Sequence, residues 1–207
     1  MNYLSDRINL LAESETLAMT RRSRELRALG FDVINLSIGE PDFDTPIHVK
    51  EAAKDAIDQN YSHYAPVPGY PELRQAIANK LKRDNGLDYT AEQIVVSTGA
   101  KQSLANAILC LLNPGDEIII PAPYFVSYKE LIKLAGAKGV FIEGSVQSDF
   151  KVTPEQIEAA ITPETKVFLF SSPCNPSGSV YTHDELQAFA GVFALHPNVF
   201  IISDEIY

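Results

Sequence analysis

The residues that could do chemistry lie just after three apolar segments. Val199 to Ser203 runs directly into Asp204-Glu205-Ile206-Tyr207. A carboxylate at the mouth of a buried strand is costly unless it meets a metal, a base or a cationic ligand. Two chemistries use such a group. One is a magnesium site of the Walker-B kind, which needs a partner phosphate loop. The other is an acid that keeps a pyridine nitrogen protonated and so turns the ring into an electron sink. Adjacent strand residues face opposite ways, which leaves Glu205 the weaker candidate of the pair.

The second segment, Ile94 to Ser97, leads into Thr98-Gly99-Ala100-Lys101-Gln102-Ser103. Small residues opening a helix offer free N–H groups at the positive end of the helix dipole, and Gly99 and Ala100 let an anion approach the backbone. The same residues also suit a plain strand-to-helix turn. They match neither G-x-x-x-x-G-K-[ST] nor G-x-G-x-x-G, so a nucleotide is not the first expectation. The third segment, Val167 to Phe170, leads into Ser171-Ser172-Pro173-Cys174-Asn175-Pro176-Ser177-Gly178. Pro176 biases Asn175 towards an extended backbone that can aim its amide; the alternative is an Asn that bonds its own backbone in a turn. Cys174 has no histidine fixed beside it in sequence, and Cys110 sits on an apolar helix face. Both are read as bystanders. His48, His63, His183 and His196 show no metal-ligand spacing and are assigned to the surface or to helix caps.

The elements that must position these residues alternate from about Val33 onward, the pattern of a parallel sheet covered by helices. Helical spacing runs from Thr16 to Leu29 and stops at Gly30. Strand Ile34 to Ser37 follows, then helices opened by Pro46 and Pro71, running to about Gln59 and Asp84. Beyond them come strand Ile94 to Ser97, helix Gln102 to Leu112, strand Glu117 to Ile120, helix Tyr124 to Ala135 and strand Gly139 to Ile142. Thr153 with Gln156 caps the next helix. Strand Lys166 to Phe170, a helix capped by Thr182 and Glu185, and strand Val199 to Ser203 complete the series. Short apolar strands of this kind are expected to be buried on both faces. In such open sheets ligands sit at the carboxyl ends of the strands, where the three loops lie.

Composition narrows the function. The 207 residues carry 17 basic and 27 acidic side chains, a net charge of −10, with a sequence pI near 4.8. The one basic cluster is Arg21, Arg22, Arg24 and Arg27, too short a footprint for nucleic acid. No apolar run approaches the ~18 residues of a membrane span. Met1 to Arg7 lacks a basic start followed by an apolar core, so no secretory signal is expected. Two cysteines make no disulfide framework. A reducing, cytoplasmic setting is expected.

Six motifs stand in one order along the chain: Ser37-Ile38-Gly39-Glu40-Pro41-Asp42-Phe43, Tyr64-Ala65-Pro66, Gly99-Ala100-Lys101-Gln102, Pro123-Tyr124-Phe125, Asn175-Pro176-Ser177-Gly178 and Ser203-Asp204-Glu205-Ile206-Tyr207. Together they resemble a class I aminotransferase of the fold type I pyridoxal-phosphate enzymes, nearest to the bacterial aspartate aminotransferase branch. The resemblance implies an α/β three-layer sandwich with a mainly parallel sheet. It places an N-terminal arm and the start of a small domain in residues 1–45, and the front of the cofactor-binding large domain in residues 46–207. It implies pyridoxal 5′-phosphate as cofactor and transamination between an amino acid, aspartate first, and a 2-oxo acid such as 2-oxoglutarate. Aromatic, alanine and prephenate-type substrates are the alternatives.

Residue by residue, the resemblance gives Asp204 to the pyridine nitrogen, and Asn175 and Tyr207 to the ring's phenolic oxygen. It gives Gly99, Ala100 and Lys101 to the phosphate, and Phe125, with Tyr124 beside it, to ring stacking. Tyr64 reaches the cofactor of a neighbouring subunit, which implies a homodimer with shared active sites. Gly39 and Asn175 serve the substrate. Lys101 could attract a distal carboxylate or simply point to solvent, and Ser14 and Thr16 could add hydrogen bonds to that carboxylate. Lys101 stands on the phosphate turn and not under the ring. The Schiff-base lysine and the arginine for the α-carboxylate fall beyond Tyr207 in the family, so the chain alone is expected to be inactive. Two rivals of other classes remain at this stage: a phosphate-binding ATPase built on Lys101 and the Asp204-Glu205 strand end, and an inactive chain that only dimerises.

Overall fold

The computed structural model describes residues 3–12, 15–36 and 39–207, with the backbone alone at residues 15 and 16. The helices are α1 (Asp6–Asn9), α2 (Glu15–Ala28), α3 (Ile47–Asp58), α4 (Pro71–Asn85), α5 (Ala100–Leu111), α6 (Ser127–Ala135), α7 (Pro154–Ala160) and α8 (His183–Leu195). The strands are β1 (Glu117–Ala122), β2 (Lys138–Glu143), β3 (Thr165–Ser171) and β4 (Phe200–Asp204). The chain forms two compact units, one of Glu13–Ser97 and one of Met1–Ala12 with Thr98–Tyr207.

The Glu13–Ser97 unit carries α2, α3 and α4. Pro71 occupies the first turn of α4, Lys82 and Arg83 its last, and Gly86 closes it, the order that the missing proline N–H and the helix dipole favour. Two expected strands are not formed. Ile34 to Leu36 and Ile94 to Ser97 join no ladder, and Ser37 lies outside the described residues. The backbone at Ile94 is extended, and the Val96 N–H bonds the Pro68 carbonyl. An apolar run becomes a strand only when another strand pairs with it, and among the described residues neither segment has such a partner.

The other unit contains a fully parallel four-stranded sheet in the order β2-β1-β3-β4. Alternation along the strands divides two cores. Ile118, Ile120, Val167 and Leu169 face Leu104 and Ile108 of α5 and Tyr128 and Ile132 of α6. Ile119, Phe168 and Phe170 face Ile157 of α7 and Phe189 and Phe193 of α8. The result is a three-layer α/β sandwich, the architecture expected from the sequence. Glu117, buried at the start of β1, is held by the Lys138 ammonium at 2.6 Å and the Thr162 hydroxyl at 2.7 Å. These bonds, the lysine's first, keep its carboxyl below the usual range. Both expected capping boxes form, Thr153 with Gln156 and Thr182 with Glu185.

Three details differ from the sequence expectation. Helix α5 begins at Ala100 rather than Gln102, because Gly99 supplies the turn out of the preceding extended chain. Helix α6 begins at Ser127 rather than Tyr124, leaving Tyr124 and Phe125 in the loop after β1. Among the described residues the outer strands, β2 and β4, are not buried on both faces: Phe141, Phe200 and Ile201 are exposed.

Candidate active site

The connection from β1 to β2 runs to one side of the sheet and that from β3 to β4 to the other, so the strand order reverses between β1 and β3. Crevices at such reversals, outside the carboxyl ends of the strands, bind ligands. Asp204 ends β4, paired in register with Ser171 at the end of β3. It is only 9% exposed. Glu205 faces the other way, is exposed, and accepts a hydrogen bond from the Ser203 hydroxyl at 3.0 Å. The buried carboxylate is met by a neutral group: the Tyr128 hydroxyl donates to Asp204 Oδ2 at 2.6 Å. Tyr128 is 1% exposed. Its burial, and secondarily the bond to Asp204, raise its pKa far above the ordinary tyrosine value. It therefore stays protonated as a permanent donor. Among the described residues no ion pair is recorded for Asp204.

Helix α5 starts from Gly99, whose φ of 86° and ψ of 159° are open to glycine and scarcely to other residues. The Gln102 side chain caps the Thr98 N–H, and the Gln102 and Ser103 N–H groups bond the Gly99 carbonyl. The first N–H groups, at Ala100 and Lys101, have no partner within the helix and carry its positive pole.

The loop after β3 closes on itself, with the Cys174 N–H bonded to the Ser179 carbonyl at 2.9 Å and the Gly178 N–H to the Cys174 carbonyl at 2.7 Å. Cys174 Sγ donates to the Pro123 carbonyl at 3.3 Å, a packing role. Cys110 is exposed on α5. So held, Asn175 donates from Nδ2 to the Tyr207 oxygen at 2.6 Å. Phe125 stands edge-on to Tyr128, centroids 5.7 Å apart, and the Lys101 ammonium lies 5.4 Å from its ring centroid. Tyr124 instead stacks on Phe141 at 4.9 Å.

A cavity of about 250 Å³ collects these groups: Gly99, Ala100, Lys101, Phe125, Asn175, Asp204 and Tyr207 all line it. It offers an anion seat at a helix start, an aromatic wall, and a buried carboxylate in want of a cation. That set is complementary to a flat ring with a cationic nitrogen and an anionic tail. Tyr64 and Gly39 belong to the other unit. Tyr64 is fully exposed, and a Cβ at Gly39 would meet open space. Ser14 and the side chain of Thr16 lie outside the described residues. Among the described residues no group of three or more His, Cys, Asp or Glu is placed to hold a metal, and no helix is long and apolar enough to cross a membrane.

Sequence reasoning missed Tyr128. It follows Phe125 by three residues and Tyr124 by four, one helical turn on, and passes for an ordinary core aromatic. The available signal was its polar tip, since a buried tyrosine hydroxyl needs a partner.

Residues 32–207 match the family described as aminotransferase class I and II. Over all 207 residues the chain is 53% identical to an aspartate/prephenate aminotransferase of Cereibacter sphaeroides. Over 204 residues it is 48% identical to an aspartate aminotransferase of Geobacillus stearothermophilus. It covers 52% of each, so it spans about half the length of these curated relatives. Among solved structures, the aspartate aminotransferase of Thermus thermophilus with maleate superposes over the whole chain and 54% of its own, with a TM-score of 0.95 and 45% identity. That of Rhizobium meliloti covers 99% of the chain and 51% of its own, with a TM-score of 0.94 and 43% identity.

Proposed function

The chain belongs to the class I and II aminotransferases, and from that premise we propose that it forms the cofactor-binding front of an enzyme that moves an amino group between aspartate and a 2-oxo acid such as 2-oxoglutarate, using pyridoxal 5′-phosphate. The observation that carries this reading is the single cavity lined by Asp204, by the Gly99 to Lys101 turn and by Phe125. The fit is chemical: the carboxylate suits a pyridinium nitrogen, the helix start suits a phosphate, and the ring wall suits an aromatic face.

When bound, the cofactor supplies an electron sink for the pair left by the departing α-proton. The chain's own residues prepare the site. Asp204 holds a proton at the ring nitrogen. The N–H groups of Gly99, Ala100 and Lys101 bind the phosphate. Phe125 covers one ring face and keeps water off it. Asn175 already donates to the Tyr207 oxygen, so the Tyr207 proton is free to point at the ring's phenolic oxygen, and Asn175 also borders the substrate. Gly39 offers its backbone to the substrate α-carboxylate. Lys101 is the one lysine among the described residues that lines the cavity, and it stands at the phosphate turn, so the transfer of the α-proton is assigned to the family's lysine, which the resemblance places beyond Tyr207. In this reading residues 1–45 serve as arm and start of a small domain and residues 46–207 as the front of the large one. The two free cysteines suit a cytoplasmic enzyme.

A second substrate has specific support, since the Cereibacter sphaeroides relative is named for aspartate and prephenate together. Prephenate is a 2-oxo acid with a second carboxylate, as aspartate's own product is. Lys101 is the cation that could greet that distal carboxylate. It is exposed beside Phe125. In the full-length enzyme Lys101→Ala is expected to raise KM for aspartate about tenfold while changing that for alanine little. Equal loss on all substrates would show that the side chain serves the phosphate or the fold.

Tyr64, fully exposed in its own unit, is assigned to the cofactor phosphate of a second copy. Tyr64→Phe is then expected to weaken cofactor retention about tenfold, the loss of one hydrogen bond to a charged group, with an unchanged melting temperature. A fully active monomer in sedimentation would remove this assignment. The reading as a whole is tested by adding pyridoxal phosphate to the full-length protein. A protein-dependent visible absorbance band and amino exchange between aspartate and 2-oxoglutarate are expected. Magnesium-dependent nucleotide binding without that band would favour the ATPase instead.

A further inference from the structure

We infer that Tyr128 is a positioning residue for the cofactor nitrogen: its hydroxyl fixes the Asp204 carboxylate through Oδ2 and so holds the shared proton on the ring. The inference rests on the reading of the site just given. Tyr128 is fixed from several directions. It stands edge-on to Phe125 and near-parallel to Tyr124 at 6.4 Å, and it is buried in the core formed with Ile132 and Leu169. Its hydroxyl cannot leave Asp204 without opening that core. Beside it, Ser171 pairs with Asp204 across the two strands, and Ser171, Tyr128 and Asp204 all line the cavity. The Tyr128 hydroxyl is thus a buried donor ending on a carboxylate.

The choice of a neutral donor matters. A cation in its place would compensate Asp204 and reduce its attraction for a protonated ring. A water could be displaced when the site fills. A tyrosine hydroxyl occupies one carboxylate oxygen permanently and leaves the charge available to the cavity. A carboxylate that loses such a donor becomes a stronger proton acceptor, and it would draw the shared proton away from the ring nitrogen.

The test uses the full-length holoenzyme with Tyr128→Phe, which deletes the hydroxyl and keeps the ring. Nitrogen NMR of pyridoxal phosphate labelled with 15N in the ring reads protonation directly, and equilibrium dialysis reads affinity. The parent signal is expected at the protonated position. In Tyr128→Phe it is expected to move towards the unprotonated position, with affinity about tenfold weaker for the loss of one hydrogen bond to a charged group. Replacing Tyr128 with 3-fluorotyrosine, a stronger donor on the same ring, should move the signal the opposite way by a smaller step, and it decides the matter if Tyr128→Phe does not fold. A purely structural tyrosine would lower the melting temperature and leave the nitrogen signal where it was; that result overturns the inference. If the parent itself binds no pyridoxal phosphate, the reading of the site has failed and the inference falls with it.

Discussion

Asp204→Ala, in the full-length enzyme, is expected to lower kcat/KM for aspartate by about 10²–10³-fold or more, the range seen when one preorganised electrostatic group is removed from an active site. Asp204→Asn should be nearly as poor, because an amide can still accept the Tyr128 hydrogen bond but carries no charge to hold a proton on the ring nitrogen. Stability should move the other way. Asp204 is buried, and its recorded partner is a neutral hydroxyl, so in the cofactor-free protein the carboxylate is a burden on the fold. Asp204→Asn should therefore melt no lower than the parent, and higher if desolvation dominates. Sites kept for function commonly show this opposition between stability and activity. Turnover within a few-fold of the parent for both variants would sink the assignment. A large fall in melting temperature of the cofactor-free Asn variant would show that the carboxylate is structural.

The second large effect is expected at Gly99. Its φ and ψ fall where only glycine is at ease, and an added Cβ would meet no atom within 4 Å. The penalty is therefore backbone strain alone, about 1–3 kcal/mol. The strain is most easily relieved by rotating the turn, which re-aims the first N–H groups of α5 away from the phosphate. At 1.4 kcal/mol per tenfold, cofactor binding should weaken by roughly 5- to 150-fold. Gly99→Val should lie at the upper end, since a β-branched side chain tolerates this backbone least, and Gly99→Ala at the lower. Titration with pyridoxal phosphate measures it directly. Parental affinity in both variants would mean that the turn does not seat the phosphate.

Much of this site was legible in the sequence because its parts are local. Strand β3 is a continuous apolar run, the capping boxes lie within four residues, and Asp204 is a charge stranded at the end of such a run. The rule that ligands gather at the carboxyl ends of parallel strands then pointed at three loops, and all three line the cavity. What was not legible depends on partners far away in sequence. Tyr128 meets Asp204 across 76 positions, and nothing in the spacing of α6 separates it from a core aromatic. Ile94 to Ser97 has the composition of a strand, but pairing is a property of two segments. Lys101 showed the limit of local reasoning most plainly: distal carboxylate and open solvent were the alternatives, and neither anticipated the ammonium over the Phe125 ring. Helical spacing alone would include Tyr124 and Phe125 in α6, whereas the helix begins at Ser127.

The most direct measurement is the crystal structure of the full-length protein with pyridoxal phosphate bound. The ring nitrogen should lie within hydrogen-bond distance of the Asp204 carboxylate, about 2.7–2.9 Å for a charge-assisted pair. The phosphate should rest on the N–H groups of Gly99, Ala100 and Lys101, with Phe125 over one ring face. A cofactor seated elsewhere, or one whose nitrogen faces solvent while Asp204 stays bonded only to Tyr128, would contradict the account.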